Sequence, residues 1–199
     1  MERGDSKIMK LLEERILKDR VIINNDILKV DSFLNHQIDT ELTRSIAKEI
    51  SEAFKGFGIN KILTIETSGL PVSFAVAEEM GHLPLVFAKK SKSLTVGDDV
   101  YKAEIKSFTR NIKSTVTVAN KYLNKGDVVL IVDDFLAEGN AALGLLDLCN
   151  QAGAKVVGVA VEIEKGFQGG RDKLEALGLK VYSGANVKAF VNNKPVFKL

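Results

Sequence analysis

The strongest constraint on how this chain folds lies at residues 128–144, which read VVLIVDDFLAEGNAALG. Five consecutive aliphatics, Val128, Val129, Leu130, Ile131 and Val132, follow Lys125, Gly126 and Asp127 and stop at two acids. A short apolar run bounded in this way suits a strand buried on both faces of a parallel sheet. Asp133 and Asp134 then fall at its carboxyl end. In open α/β sheets that end opens onto the ligand crevice, so both acids are expected to project into a binding site rather than a core. The competing reading is a helix cap with a solvated neighbour. Phe135 and Leu136 lead into Ala137, Glu138, Gly139, Asn140 and Ala141, small residues around a glycine ahead of a helical pattern. A tight loop that opens a helix presents unpaired backbone N–H groups at a positive dipole end, which suits a phosphate group.

Strand and helix patterns alternate through the rest of the chain. Ile8, Leu11, Leu12 and Ile16 recur at helical spacing and predict an amphipathic first helix. Residues 21–23 and 27–30 read as short strands around an Asn-Asn-Asp turn. Asp39 can cap a helix carrying Leu42, Ile46, Ile50 and Phe54, with Gly56 or Gly58 ending it. Residues 61–66 and 85–88 read as buried strands, and Pro71 suits the first turn of a helix between them. Residues 94–112 are irregular and polar, as a lid over a site often is. Residues 115–118 alternate as a strand, and residues 156–163 form a second long apolar strand containing Gly158. A short helix over 171–177 and an edge strand over 179–182 close the pattern. The expected fold is a doubly wound parallel α/β sheet flanked by helices.

Three further clusters carry chemistry. Thr67, Ser68 and Gly69 sit between a strand and a helix start, a second place for phosphate, although the same triplet also reads as a plain cap and turn. Lys89, Lys90 and Lys92 leave the carboxyl end of the 85–88 strand, where they can meet an anion, or form a solvated face. Lys165 and Phe167 follow the 156–163 strand, so a cation can donate to a purine carbonyl while a ring stacks on the base, or the two simply belong to a loop. His82 reads as a turn residue and His36 as a hydrogen-bonding group; with one cysteine in the chain they make no zinc set. Cys149, inside an apolar helix, reads as a small core hydrophobe.

The strand, the paired acids and the small-residue loop resemble the phosphoribosyl-pyrophosphate (PRPP) motif of the type I purine phosphoribosyltransferases. KVDSFLNHQID at 29–39, FAKKSKSL at 87–94 and IEKGFQ at 163–168 resemble the corresponding parts of the bacterial xanthine-specific members, and the likeness covers nearly all of the chain from Ile22 onward. The resemblance implies transfer of phosphoribose from PRPP to an oxopurine, xanthine, giving xanthosine monophosphate and pyrophosphate in purine salvage. It implies that Asp133 and Asp134 act on the ribose hydroxyls, that the 137–141 loop holds the 5′-phosphate, and that Thr67, Ser68 and Gly69, with Lys90 and Lys92, take the pyrophosphate. It assigns base contacts to Leu28, Asn35, Lys165 and Phe167. It also implies a homodimer, a flexible closing loop, and a hood built from about residues 1–39 and the C-terminal residues on a core of about 40–185, all within one domain, 1–199. Magnesium is expected on the oxygens of PRPP rather than on direct protein ligands, since it keeps several waters. The chain departs from the family in lacking hydroxyl residues in the phosphate loop, where Glu138 and Ala141 stand. Binding there is expected to rest on main-chain donors and Asn140.

Composition narrows the alternatives. A net charge of +2 on 199 residues gives no electrostatic case for nucleic acid. No segment reaches the roughly 18 apolar residues of a membrane span, the N-terminal residues lack an apolar signal core, and a single cysteine fits a reducing cytoplasm. A PRPP-sensing purine regulator shares the motif. Such a regulator needs an additional DNA-binding domain, for which the residues ahead of the hood are too few. An adenine- or hypoxanthine-guanine-specific enzyme is the remaining alternative, decided at the hood and Lys165.

Overall fold

The structure of the chain, a computed structural model, describes residues 7–19, 21–24, 27–90, 99–106 and 113–198. In chain order these form α1 (Lys7–Asp19), β1 (Val21–Ile23), β2 (Ile27–Lys29), α2 (Thr40–Ala53), β3 (Lys61–Ile65), α3 (Leu70–Glu79), β4 (Leu85–Ala88), β5 (Val100–Lys106), β6 (Lys113–Ala119), β7 (Val128–Leu136), α4 (Asn140–Ala152), β8 (Lys155–Lys165), α5 (Gly170–Ala176), β9 (Lys180–Val191) and β10 (Lys194–Phe197). Six strands make the main sheet in the order β10-β9-β8-β7-β3-β4. All neighbours are parallel except β10, which pairs antiparallel with β9. The doubly wound α/β expectation is met.

Side-chain alternation divides the core between the two faces of this sheet. Leu130 and Val132 of β7 pack with α1, α2 and α3 through Leu12, Ile16, Ile46, Ile50, Phe54 and Val72. Val129 and Ile131 pack with α4, α5 and the β5–β6 hairpin through Leu145, Leu148, Cys149, Leu174, Ala103 and Val116. The long apolar run is therefore buried from both sides, as a central parallel strand must be. Cys149 is fully buried, and burial pushes its thiol up to about 12. Asp39 caps α2, its Oδ1 accepting from the Leu42 N–H at 3.1 Å, and its Oδ2 accepts from Arg15 Nη1 at 2.7 Å, which ties α1 to the start of α2. A cap of this kind is worth about 1 kcal/mol.

Four expectations change. β7 does not stop at Val132 but continues through both acids to Leu136, because β8 stays paired beside it, and ladder hydrogen bonds do not depend on side-chain polarity. β8 likewise runs on through Glu164 and Lys165. Of residues 179–182, expected as an edge strand, Lys180 opens a twelve-residue strand, β9, that lies inside the sheet; the edge is β10, reached through Asn192 and Asn193, both at positive φ. Paired asparagines in this conformation form a tight hairpin turn. Residues 100–106, read as part of an irregular lid, are strand β5 paired with β6; Asp99 precedes that strand, and the other residues expected in the lid, 94–98 and 107–112, lie outside the described residues.

Gly158 in β8 shows how tightly the α2 side is packed. A Cβ there would stand 2.4 Å from Phe54 Cε1 and 2.6 Å from the Lys180 carbonyl oxygen. Overpacking of a well-filled core costs about 1–3 kcal/mol, so Gly158→Ala is expected to lower unfolding stability by that amount, read from the midpoint of urea denaturation.

Candidate active site

The cleft exists because two parallel neighbours part company. β3 pairs with β7 over Lys61, Ile62 and Leu63 opposite Val129, Leu130 and Ile131, and no further. From there β3 stays with β4 through Ile65 opposite Ala88, while β7 stays with β8. The crossovers leave β3 and β7 in opposite directions, through α3 to β4 and through α4 to β8. The parting is thus the topological switch point, where an open α/β sheet forms its ligand crevice. A cavity of about 520 Å³ fills it, with Asp133, Asp134 and residues 137–141 on the β7 side and Thr67, Ser68 and Lys90 on the β3–β4 side. Ile105 and Ser114 from the hairpin close one wall, held there by the packing of Ile105 against α4 at Gly144.

Each rim is built by local chemistry. The Thr67–Ser68 rim is braced by Glu66, whose carboxylate accepts from the Lys90 backbone N–H, so the end of β3 is tied to the end of β4. The Glu66–Thr67 peptide is cis. Gly69 faces Asp133 directly: a Cβ on it would stand 2.4 Å from Asp133 Oδ1 and 2.7 Å from Thr64 Oγ1, so only glycine lets this rim reach the acid. On the opposite rim Gly139, at φ +85°, turns the chain into α4. Asn140 Nδ2 donates to Glu138 Oε2 at 3.0 Å, which gives the loop carboxylate a partner inside the loop.

Asp133 and Asp134 lie within β7 and are nine-tenths buried, though both line the cavity. Asp133 accepts from the Asp134 N–H, and Asp134 from the Phe135 N–H, each at 3.0 Å. Burial first, and then the Asp134 charge, hold the Asp133 carboxyl well above the usual carboxylate range, while the Lys90 charge works in the opposite direction. Glu162 is almost fully buried and sits across from this stretch on β8, between the partners of Asp133 and Phe135. Burial and the Asp134 charge raise it well above its ordinary value too. Sequence reading passed over Glu162 as part of an apolar strand; a single acid inside such a run was the available signal.

The expected site residues are brought together only in part. Asp133, Asp134, Ala137, Glu138, Gly139, Asn140, Ala141, Thr67, Ser68 and Lys90 share the cavity, and Gly69 packs beneath it. Asn35 and His36 line an adjoining pocket of about 410 Å³ that shares Thr67, Ser68 and Lys90 with the main one. Leu28, Lys165 and Phe167 line neither: Leu28 is core, Lys165 is buried at the end of β8, and Phe167 is half exposed with its ring edge-on to Phe190. Lys92 lies outside the described residues. His82 is a turn residue at positive φ.

A phosphoribosyl transferase domain model matches residues 29–188. The chain belongs to the phosphoribosyltransferase family. Curated relatives within the phosphoribosyltransferases include xanthine phosphoribosyltransferase 2 of Clostridium botulinum, 50% identical over 190 residues, covering 96% of this chain and all of the relative. Xanthine phosphoribosyltransferase of Streptococcus agalactiae is also 50% identical, over 95% of this chain and 97% of its own length. Among solved structures, adenine phosphoribosyltransferase from Rhodothermus marinus superposes with a TM-score of 0.74 over 90% of this chain and 98% of that one at 24% identity, a likeness of phosphoribosyltransferase fold.

Because Glu162 takes up protons more readily folded than unfolded, the stability it contributes is full at low pH and is lost as pH rises above its ordinary value. Glu162→Gln removes the ionisation and is expected to raise the melting midpoint at pH 8 by about 2–4 °C and by less at pH 5. Differential scanning calorimetry at the two pH values checks this; an equal shift at both would discount the buried acid.

Proposed function

We propose that this phosphoribosyltransferase moves the 5-phosphoribosyl group of PRPP onto xanthine, releasing pyrophosphate and forming xanthosine 5′-monophosphate for purine salvage. The observation that carries the reading is the cavity at the parting of β3 and β7, which faces a pair of acids with a small-residue helix-opening loop on one rim and a lysine-bearing rim on the other. The xanthine assignment is supported by the names of the relatives that match over nearly the whole chain.

In this reading a ring nitrogen of the purine bonds to the anomeric carbon as the bond from that carbon to the pyrophosphate oxygen breaks. The electron pair leaves with pyrophosphate, and the purine N–H proton passes to solvent. The sugar gains positive character on the way, as in glycoside cleavage. Asp133 and Asp134 face that sugar, and the approach of the transient cation favours ionisation of Asp133, which burial and its neighbour resist at rest, so negative charge is available where the sugar becomes positive. Backbone N–H groups of 137–141 hold the 5′-phosphate, and Thr67, Ser68, Gly69 and Lys90, with Lys92 beyond the described residues, hold the pyrophosphate. Asn35, with its donor and acceptor, lines the adjoining pocket and takes the base, and the family resemblance adds Leu28, Lys165 and Phe167, which line neither pocket in this structure. The hood formed by β1, β2 and the residues up to Asp39, together with C-terminal residues, closes over it.

A magnesium ion fits this site as a substrate-borne cation. The donor chemistry fits, since Asp133 and Asp134 bring carboxylate oxygens, the ligand type magnesium takes directly or through water, to the cavity that would hold the donor. Bound on PRPP, magnesium supplies charge neutralisation of the leaving group. Family membership supports a homodimer, expected as a sedimentation mass of about twice 21.7 kDa. Among the described residues no helix is long and apolar enough to cross a membrane, in keeping with a cytoplasmic salvage enzyme.

Xanthine, guanine, hypoxanthine and adenine offered in parallel with PRPP and magnesium test the base: xanthine is expected to show the highest kcat/KM, and turnover of adenine alone would overturn the assignment. Asp133→Asn combined with Asp134→Asn keeps both backbone-accepting oxygens and so the fold. It is expected to lower kcat by about 100-fold or more. Unchanged turnover would remove the acids from the mechanism.

A further inference from the structure

One anchored stretch lies between the end of the base-side strand and the phosphate loop, and neither the motif nor the proposed chemistry accounts for it. β8 ends at Lys165, a single turn follows, and α5 begins at Gly170. The loop rests on that beginning with no side chain between. The Gly170 N–H donates to the Ala137 carbonyl at 3.1 Å. A Cβ on Gly170 would stand 2.3 Å from that carbonyl oxygen and 2.8 Å from the Gly139 nitrogen, and one on Gly139 would stand 3.3 Å from the Gly170 Cα. Lys173 Nζ adds a bond of 2.9 Å to the Glu138 carbonyl.

The start of α5 is itself pinned from within the sheet. Arg171 is 9% exposed and Glu164 is 1% exposed. Arg171 Nε donates to both oxygens of Glu164 at 2.9 and 3.1 Å, Nη1 donates to the Val181 carbonyl at 2.9 Å, and Nη2 donates to Glu164 and to Ser183 Oγ. Ser183 Oγ in turn donates to Glu164 Oε2 at 2.8 Å. Glu164 stands opposite Leu136 in the β7–β8 register, the last strand residue before the loop. A buried ion pair of this kind adds little net stability over apolar packing of the same volume, because taking both charges out of water offsets their attraction. What the guanidinium fork adds is one fixed geometry.

We propose that Arg171, acting through Glu164 and the Gly170 backbone, is a positioning residue for the phosphate loop: it fixes the height of residues 137–139 and thereby the affinity for the 5′-phosphate of the donor. This rests on the reading that the loop takes that phosphate. Displacement of a binding group by about 1 Å can cost up to about 100-fold.

Equilibrium binding of ribose 5-phosphate and of pyrophosphate, measured separately by calorimetry alongside steady-state kinetics, tests the inference. Gly170→Ala is expected to weaken ribose 5-phosphate binding and raise the KM for PRPP about tenfold, with pyrophosphate binding and the KM for xanthine within about twofold of the parent. Arg171→Met is expected to do the same, and Arg171→Lys to recover part of the loss. Lys173→Ala, at an exposed site, is expected to cost about twofold to threefold in ribose 5-phosphate binding with an unchanged melting midpoint. If Arg171→Met fails to fold, the Gly170 and Lys173 variants decide. Folded variants that bind ribose 5-phosphate as the parent does, or that lose both ligands equally, overturn the inference. A parent that binds ribose 5-phosphate but does not turn over xanthine would instead remove the base assignment and leave this inference to the binding data.

Discussion

Everything functional in this molecule follows from the short pairing between β3 and β7. Two parallel strands that stayed together to their carboxyl ends would leave no room between them. Here the ladder closes after Leu63 and Ile131, and each strand continues with its outer neighbour. The backbone past that point keeps a partner on one side only. The other side becomes the wall of a cleft, lined by the ends of both strands and by the loops that lead into α3 and α4. Crossovers in opposite directions impose this parting, since α3 and α4 carry the chain away to the two halves of the sheet.

The cleft accepts an electrostatic cost at its floor. Asp133, Asp134 and Glu162 occupy neighbouring positions on β7 and β8, where apolar residues would pack more favourably, and burial makes ionisation of Asp133 and Glu162 difficult. Lys90 is the cation felt by Asp133, and it arrives from the opposite rim. A floor of this kind is poorly satisfied alone and better satisfied by a positive group above it.

Close backbone approach is the other recurring device. Gly69 lets the Thr67–Ser68 rim touch Asp133, and Gly170 lets α5 support the 137–139 loop. At both places a single methyl group would force backbone apart, so the relative heights of floor and rims are set by main chain against main chain. Such contacts have little slack.

The central run, the two acids, the glycine loop and the strand–helix alternation were legible from residues alone, because a parallel strand buried on both faces leaves a continuous apolar signature and a loop that turns into a helix leaves a glycine. The ends of β7 and β8 were not legible. Asp133, Asp134, Glu164 and Lys165 look like loop residues, yet they remain in the ladder since hydrogen bonding between strands is blind to side chains. β5 and β10 were missed for a related reason: Val100, Tyr101 and Lys102 or Lys194 and Pro195 carry no strong pattern, and only a partner strand makes them extended. Sequence by itself determined the sheet type and the family. Tertiary structure decided which residues share one cavity, that Glu162 is buried on β8 beside the two acids, and that the start of α5 at Gly170 and Arg171 lies against the 137–139 loop, because burial and register arise between segments far apart in the chain and are written in none of them separately.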